Sequence, residues 1–434
     1  MTKKSSAQSA TKKSAKQDDD MAFLMEMQKQ NEKAVEKKKT EEKKKVQQNP
    51  SSSTTSSVAP QPKSYPNEQT QPEPTVPIRY LFKNNKFPEG ENMEYTQDFN
   101  RFRSSSKEEQ QKEELFDKIY QEARQAAEVH RTARKWFQGY VKPGMKVIDA
   151  AEAFENKARE LIEDNKLNAG LAFPLGCSMN NCAAHYTPNA GDETVITADD
   201  IIKFDLGLHI NGRIIDCAFT MYWDDKFKPL AMAAKDATNT GIKTAGIDVR
   251  MSDIGAAIQE VMESYEVELN GKTYPVKCVR NLNGHSVERY RIHAGKTVPI
   301  VRNNDQTKME ENEFFAIETF GSTGKGYVEH EGVCSHYMRD FFKKINPTDL
   351  KTQKARELLK VIEDNFSTLA FCRRYLDRLG EEKYMVALKS LVNAGVVNEY
   401  PPLCDVKGCY TSQYEHTIVL KPTRKEVISR GDDY

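Results

Sequence analysis

The sequence predicts an α+β fold, an antiparallel sheet with flanking helices, an internal repeat and a helical insert. Three observations carry that expectation. Two apolar, β-rich runs flank Asn211-Gly212, the strongest short-range hairpin signal. A turn followed by a helix start occurs twice. From Leu171 onward, short strand patterns and loops alternate with helical ones.

The first stretch, residues 1–77, reads as a disordered tail. The chain has 434 residues, and its 64 Lys+Arg balance 64 Asp+Glu. The zero sum argues against a wholly basic nucleic-acid binder or a wholly acidic solvating protein. It is nonetheless a cancellation, because residues 1–47 hold 13 Lys+Arg against 8 Asp+Glu. Lysine clusters (Lys37-Lys38-Lys39, Lys43-Lys44-Lys45) precede a Ser/Thr run from Ser51 to Ser57 and seven prolines from Pro50 to Pro77. Such a segment cannot bury enough apolar surface to offset chain entropy. Its lysines form either a solvated face or an electrostatic tether to an anionic partner such as ribosomal or other RNA. The start, Met1-Thr2-Lys3-Lys4-Ser5, has no apolar signal region, and no run approaches the roughly 18 apolar residues of a spanning helix. No membrane partner is therefore expected. Eight cysteines with no CxxC pair fit a reduced compartment, so a cytoplasmic location is expected.

Order is expected from Tyr95, giving one domain over residues 95–434. Ser106-Lys107-Glu108-Glu109 reads as a capping box opening a helix to about Tyr140. Pro143-Gly144 breaks the chain, and a second helix is expected from Val147 to Asn165. Gly144-Met145-Lys146-Val147 before Asp149 resembles Gly246-Ile247-Asp248-Val249 before Asp253, with a short insertion in the second copy. Convergence yields such turn-and-helix starts as readily as duplication does. Between about 340 and 402 the texture is helical. Leu358, Ile362, Phe366 and Leu369 recur at helical spacing, and another helix is expected over 381–393.

The chemistry concentrates on the hairpin. A two-residue loop makes Ile210 and Arg213 a pair, which places Asp205 opposite Ala218 and Gly207 opposite Asp216. Asp205 and Asp216 are then diagonal neighbours on one face, about 7–8 Å apart at the backbone. Two carboxylates in apolar strands require a proton or a cation, and a divalent metal pair satisfies both. His285, Glu318 in Phe314-Phe315-Ala316-Ile317-Glu318-Thr319-Phe320, and Glu415 in Glu415-His416-Thr417-Ile418-Val419-Leu420 stand in similar settings. Four carboxylates and one imidazole suit Mn, Co, Fe or Zn. Gly321–Gly326 lacks phosphate-loop spacing. His130 and His209 read as structural residues.

Beyond this point the residues resemble a family. Asn168-Ala169-Gly170-Leu171-Ala172-Phe173-Pro174, Asn180-Asn181-Cys182-Ala183-Ala184-His185-Tyr186-Thr187-Pro188-Asn189, the hairpin, Asn281-Leu282-Asn283-Gly284-His285-Ser286, Arg291-Ile292-His293-Ala294-Gly295, Ala316–Phe320 and Arg430–Tyr434 resemble type 2 methionine aminopeptidases. The resemblance covers roughly Glu113 to Tyr434. It implies the pita-bread fold, a curved antiparallel sheet with pseudo-two-fold symmetry, and a helical insert that marks type 2. It implies two divalent ions held by Asp205, Asp216, His285, Glu318 and Glu415. It also implies removal of the initiator methionine from nascent chains with a small second residue. Glu318 would take a proton from the attacking water, and His185 and His293 would hydrogen-bond the scissile amide. The methionine pocket would involve Phe173, Ile292, Phe320, His336 and Tyr400. A monomer is expected. Two other readings are a non-catalytic pita-bread protein that binds ribosomes or RNA, and a proline-directed relative. The full ligand set argues against the first. The helical insert and the lack of a folded N-terminal domain argue against the second.

Overall fold

The computed structural model describes residues 65–434. The lysine clusters and the Ser/Thr run lie outside the described residues. The folded body begins earlier than Tyr95: residues 69–77 are tied to it by hydrogen bonds and end buried at Pro74, Val76 and Pro77, although much of the stretch before them is exposed. The Gln69 carboxamide accepts from the amides of Thr75 and Val76, and Lys157 Nζ donates to Pro74 O at 2.9 Å. These bonds supply the backbone partners that a proline-rich stretch cannot supply for itself, while Val76 and Ile78 are buried. Strand β1 (Glu91–Met93) then pairs with the last strand of the chain.

The first long helix is two helices, α1 (Lys107–Leu115) and α2 (Asp117–Tyr140), broken at Phe116, with φ −100° and ψ 1°. Ser106 Oγ does cap α1, accepting from Glu109 N. The reciprocal half of the box is replaced, because Ser106 N donates to Phe102 O and the Glu109 carboxylate faces Lys112 and Arg103. Helix α3 (Val147–Ile162) stops at Glu163, whose φ of +55° ends the helix in the left-handed region.

Two half-sheets follow. The first contains β2 (Ala169–Met179), β4 (Ile201–Ile210) and β5 (Arg213–Tyr222), with β3 (Cys182–Ala184) beside it. Helices α4 (Lys228–Thr244) and α5 (Met251–Met262) lead to the second. Its central strands are β6 (Asn283–Val287), β8 (Phe314–Ser322) and β12 (Thr411–Leu420), with β7 (Thr297–Pro299) and β13 (Lys425–Val427) outside them.

The repeat is present at the level of backbone bonds. Gly144 N donates to Ile196 O and Ile196 N to Met145 O; Asp248 N donates to Met309 O and Met309 N to Val249 O. Val147 N bonds Thr194 O, and Met251 N bonds Thr307 O. Gly144 therefore corresponds to Asp248, not to Gly246, and no insertion separates the copies. Both residues have positive φ, +92° and +64°, which makes the same turn into the following helix. Sequence matching missed this because glycine and aspartate both tolerate that conformation.

The insert is less purely helical than its texture suggests. Strands β9 (His336–Arg339), β10 (Ala370–Cys372) and β11 (Val397–Tyr400) form a small sheet with β9 central. Helices α6 (Gln353–Asn365), α7 (Arg373–Arg378) and α8 (Met385–Asn393) pack on it around Leu358, Ile362, Phe371 and Leu388. Phe366 and Leu369 lie beyond the end of α6, not on it. Among the described residues no helix is long and apolar enough to cross a membrane.

Candidate metal centre

The hairpin register is the one its two-residue turn dictates: Asp205 pairs with Ala218, and Gly207 with Asp216. Asn211 and Gly212 take φ of +50° and +78°, as a type I′ turn requires. Gly207 is needed for a further reason, because a Cβ there would lie 2.2 Å from the Phe173 ring.

In the second half, His285 pairs with Ala316 and Glu318 with Glu415. Residues two apart share a face, so all three side chains meet on one side of the sheet. The seam between the halves is closed by threonine hydroxyls. Thr417 Oγ1 accepts from Asp216 N at 2.8 Å and donates to Asp216 O at 2.7 Å. Thr220 Oγ1 does the same with Gln413, at 2.9 and 2.6 Å. These stitches bring Asp216 against the Glu415 strand.

The result is a buried acidic basin. Ligand atoms of Asp216, His285 and Glu415 lie within 4.8 Å of one another. His285 Nε2 is 3.5 Å from Asp216 Oδ2 and 3.7 Å from Glu318 Oε1. Burial, reinforced by the Asp216 charge, raises the Asp205, Glu318 and Glu415 carboxyls well above their ordinary range. Burial pushes Asp216 up to about 7. Burial also lowers His285 to about 4, leaving a neutral imidazole whose nitrogen can ligate.

The residues fit a divalent metal pair on one structural test. Asp205 Oδ1, Asp216 Oδ1 and both Glu415 carboxylate oxygens are buried with no hydrogen-bond partner. Orphaned buried carboxylate oxygens are costly, and cations neutralise them directly.

A cavity of about 180 Å³ opens over the basin. Its lining brings together His185, His293, Phe173, Ile292, Phe320, His336 and Tyr400 with Asp205, Asp216, His285 and Glu318; Glu415 is outside the lining but close to Asp216 and His285. The His285 and His293 rings meet edge to face at 4.6 Å, and His185 lies 5.8 Å from Tyr400. His130 and His209 are buried away from this cavity.

Sequence reasoning missed Gln413, whose Nε2 donates to Asp205 Oδ2 at 3.3 Å and Glu318 Oε2 at 3.1 Å. Strand alternation held the signal, since Gln413 stands two residues before Glu415. Met338 and Ala370, contributed by the insert's sheet, were also missed. No local pattern marks them, because long-range folding alone brings them to the cavity.

Residues 121–361 match the profile described as Metallopeptidase family M24. Methionine aminopeptidase 2A of Arabidopsis thaliana is 57% identical over 367 residues, spanning 85% of this chain and 82% of that protein. Methionine aminopeptidase 2-1 of Neosartorya fischeri is also 57% identical over 367 residues, spanning 83% and 82% respectively. A solved structure described as a thermophilic Arx1 superposes with a TM-score of 0.62 at 18% identity, covering 73% of this chain and 92% of that one. That last likeness shows the fold alone.

Together the basin, the cavity and these likenesses define a metal-dependent hydrolase of the pita-bread class. More particularly, the chain belongs to metallopeptidase family M24, among its type 2 methionine aminopeptidases.

Proposed function

We propose that this chain releases the initiator methionine from nascent proteins and peptides with a small second residue, and that the buried basin and its cavity are where it does so. The observation that carries this reading is the set of orphaned carboxylate oxygens of Asp205, Asp216 and Glu415 gathered at a cavity with apolar and imidazole walls.

Asp205, Asp216, His285, Glu318 and Glu415 would hold two divalent ions, with Mn, Co, Fe and Zn all compatible with the donors. Bound there, such ions supply Lewis acidity for the carbonyl and for water. The chain's own residues supply the rest. Glu318, ionised once cations offset the burial that raises it, is the proton acceptor for water entering the basin. Burial holds His185 near 4 and His293 near 3, so both imidazoles are neutral at working pH. Neutral imidazoles orient the scissile amide through single hydrogen bonds and stabilise charge developing on its carbonyl oxygen. Phe173, Ile292, Phe320, His336 and Tyr400 form the apolar wall that excludes water and accepts an unbranched thioether side chain.

The test is a peptide assay with added Mn or Co, with and without chelator. Met-Ala-Ser should release methionine, and chelation should stop it. No release across a metal series would refute the reading.

A further inference from the structure

Helix α7 of the insert carries an arginine that joins two segments adjoining the cavity, helix α3 and the stretch that follows His185. Arg374 Nη1 and Nη2 donate to the Glu155 carboxylate of α3 at 2.7 and 2.9 Å. Its remaining donors grip the segment just after His185, with Nη2 on Thr187 Oγ1 at 2.8 Å and Nε on Pro188 O at 2.8 Å. Glu155 Oε1 also accepts from Leu175 N at 3.1 Å, next to the Phe173-Pro174 wall. Arg374, Glu155 and Thr187 are all buried. Burial is the largest single influence and would raise Glu155, but the charge and hydrogen bonds of Arg374, with the Arg159 charge and the Leu175 amide, together hold the carboxyl below its ordinary range.

His185 itself has φ of +66°. A non-glycine residue stays in that region only when its surroundings over-determine it. Upstream, β3 ends at Ala184. Downstream, Cys177 N donates to Tyr186 O at 2.6 Å, and Arg374 holds the next two residues.

We propose that Arg374, braced by Glu155, is a positioning residue that fixes the His185 imidazole through Thr187 and Pro188. The insert then has a catalytic consequence, because it clamps the backbone on which His185 depends. The inference rests on the peptidase reading above and deepens it.

Thr187→Val removes the hydroxyl that Arg374 grips and leaves the ion pair intact. It should lower kcat for Met-Ala-Ser by roughly ten- to a hundred-fold, the scale of a small misplacement of a catalytic group. Metal content and Tm should hold. Arg374→Lys, which lacks the fork, should act in the same direction. Acting through His185 has a signature that a merely structural role lacks: in a His185→Ala background Thr187→Val should cost less than about two-fold further. Unchanged kcat in Thr187→Val, or a loss that multiplies fully with His185→Ala, overturns the positioning role while the peptidase reading stands. A parent chain that releases no methionine overturns the peptidase reading itself, and this inference with it.

Discussion

The two half-sheets start from the same device and then diverge. Each opens with a positive-φ turn, a short antiparallel contact and a helix, built on Gly144 and Asp248. The first half places both of its proposed ligands on one hairpin, where a two-residue turn fixes their register. The second draws His285, Glu318 and Glu415 from three strands, the last reached only after the insert. One half is prearranged by local chain geometry, and the other is assembled by long-range pairing. The centre therefore depends on the seam where they meet, and Asp216, stitched to Thr417, stands on it.

The hardest break falls at that seam. Among the charged neighbours of Asp205, Glu318 and Glu415, Asp216 exerts the strongest effect on each. Asp216→Asn keeps the shape but removes the charge that both halves share. It is expected to strip both ions and abolish turnover, read as metal content per chain after dialysis. Two ions retained with full activity would show that the halves hold metal independently.

The same comparison explains what the sequence disclosed. The hairpin was legible residue by residue, because Asn211-Gly212 sets the register and alternation sets the face. The second half was legible only as isolated acids in apolar strands. Pairing of Glu318 with Glu415 spans the insert, and no local rule reaches that far; the family resemblance implied that both are ligands but not that they are paired. The helix break at Phe116 was invisible because helical spacing continues across it. The packed start at Val76 was hidden by its proline-rich surroundings. Thr220 and Thr417 read as ordinary strand residues, since their importance lies in a contact between halves.

A gentler probe is Gln413, whose amide donates to one carboxylate from each half. Gln413→Leu keeps the volume and removes the donor. Partners of metal ligands typically contribute 10- to 100-fold in affinity, so a weakening of about that size is expected, measured by metal titration. Weakening of only one of the two binding steps would assign the bridge to a single site. No weakening would mean that the threonine stitches alone align the halves.

The smallest effect concerns protons, and it separates the halves by chemistry. His285, lowered by burial to about 4, is already neutral near pH 6 and has no proton to lose. Asp216, raised by burial to about 7, is largely protonated near pH 6 and largely ionised near pH 8. A cation entering near pH 6 must therefore expel a proton from the carboxylates, whereas near pH 8 less remains to expel from Asp216. Metal affinity should rise with pH across that window, by up to about tenfold per unit for each proton released. Calorimetric titration in two buffers of different ionisation enthalpy reads those protons directly. The buffer dependence should be clear near pH 6 and smaller near pH 8. An equal dependence at both would mean that the proton leaves a group other than Asp216, such as the more strongly raised Asp205, Glu318 or Glu415, and would shift the acidic switch away from the seam.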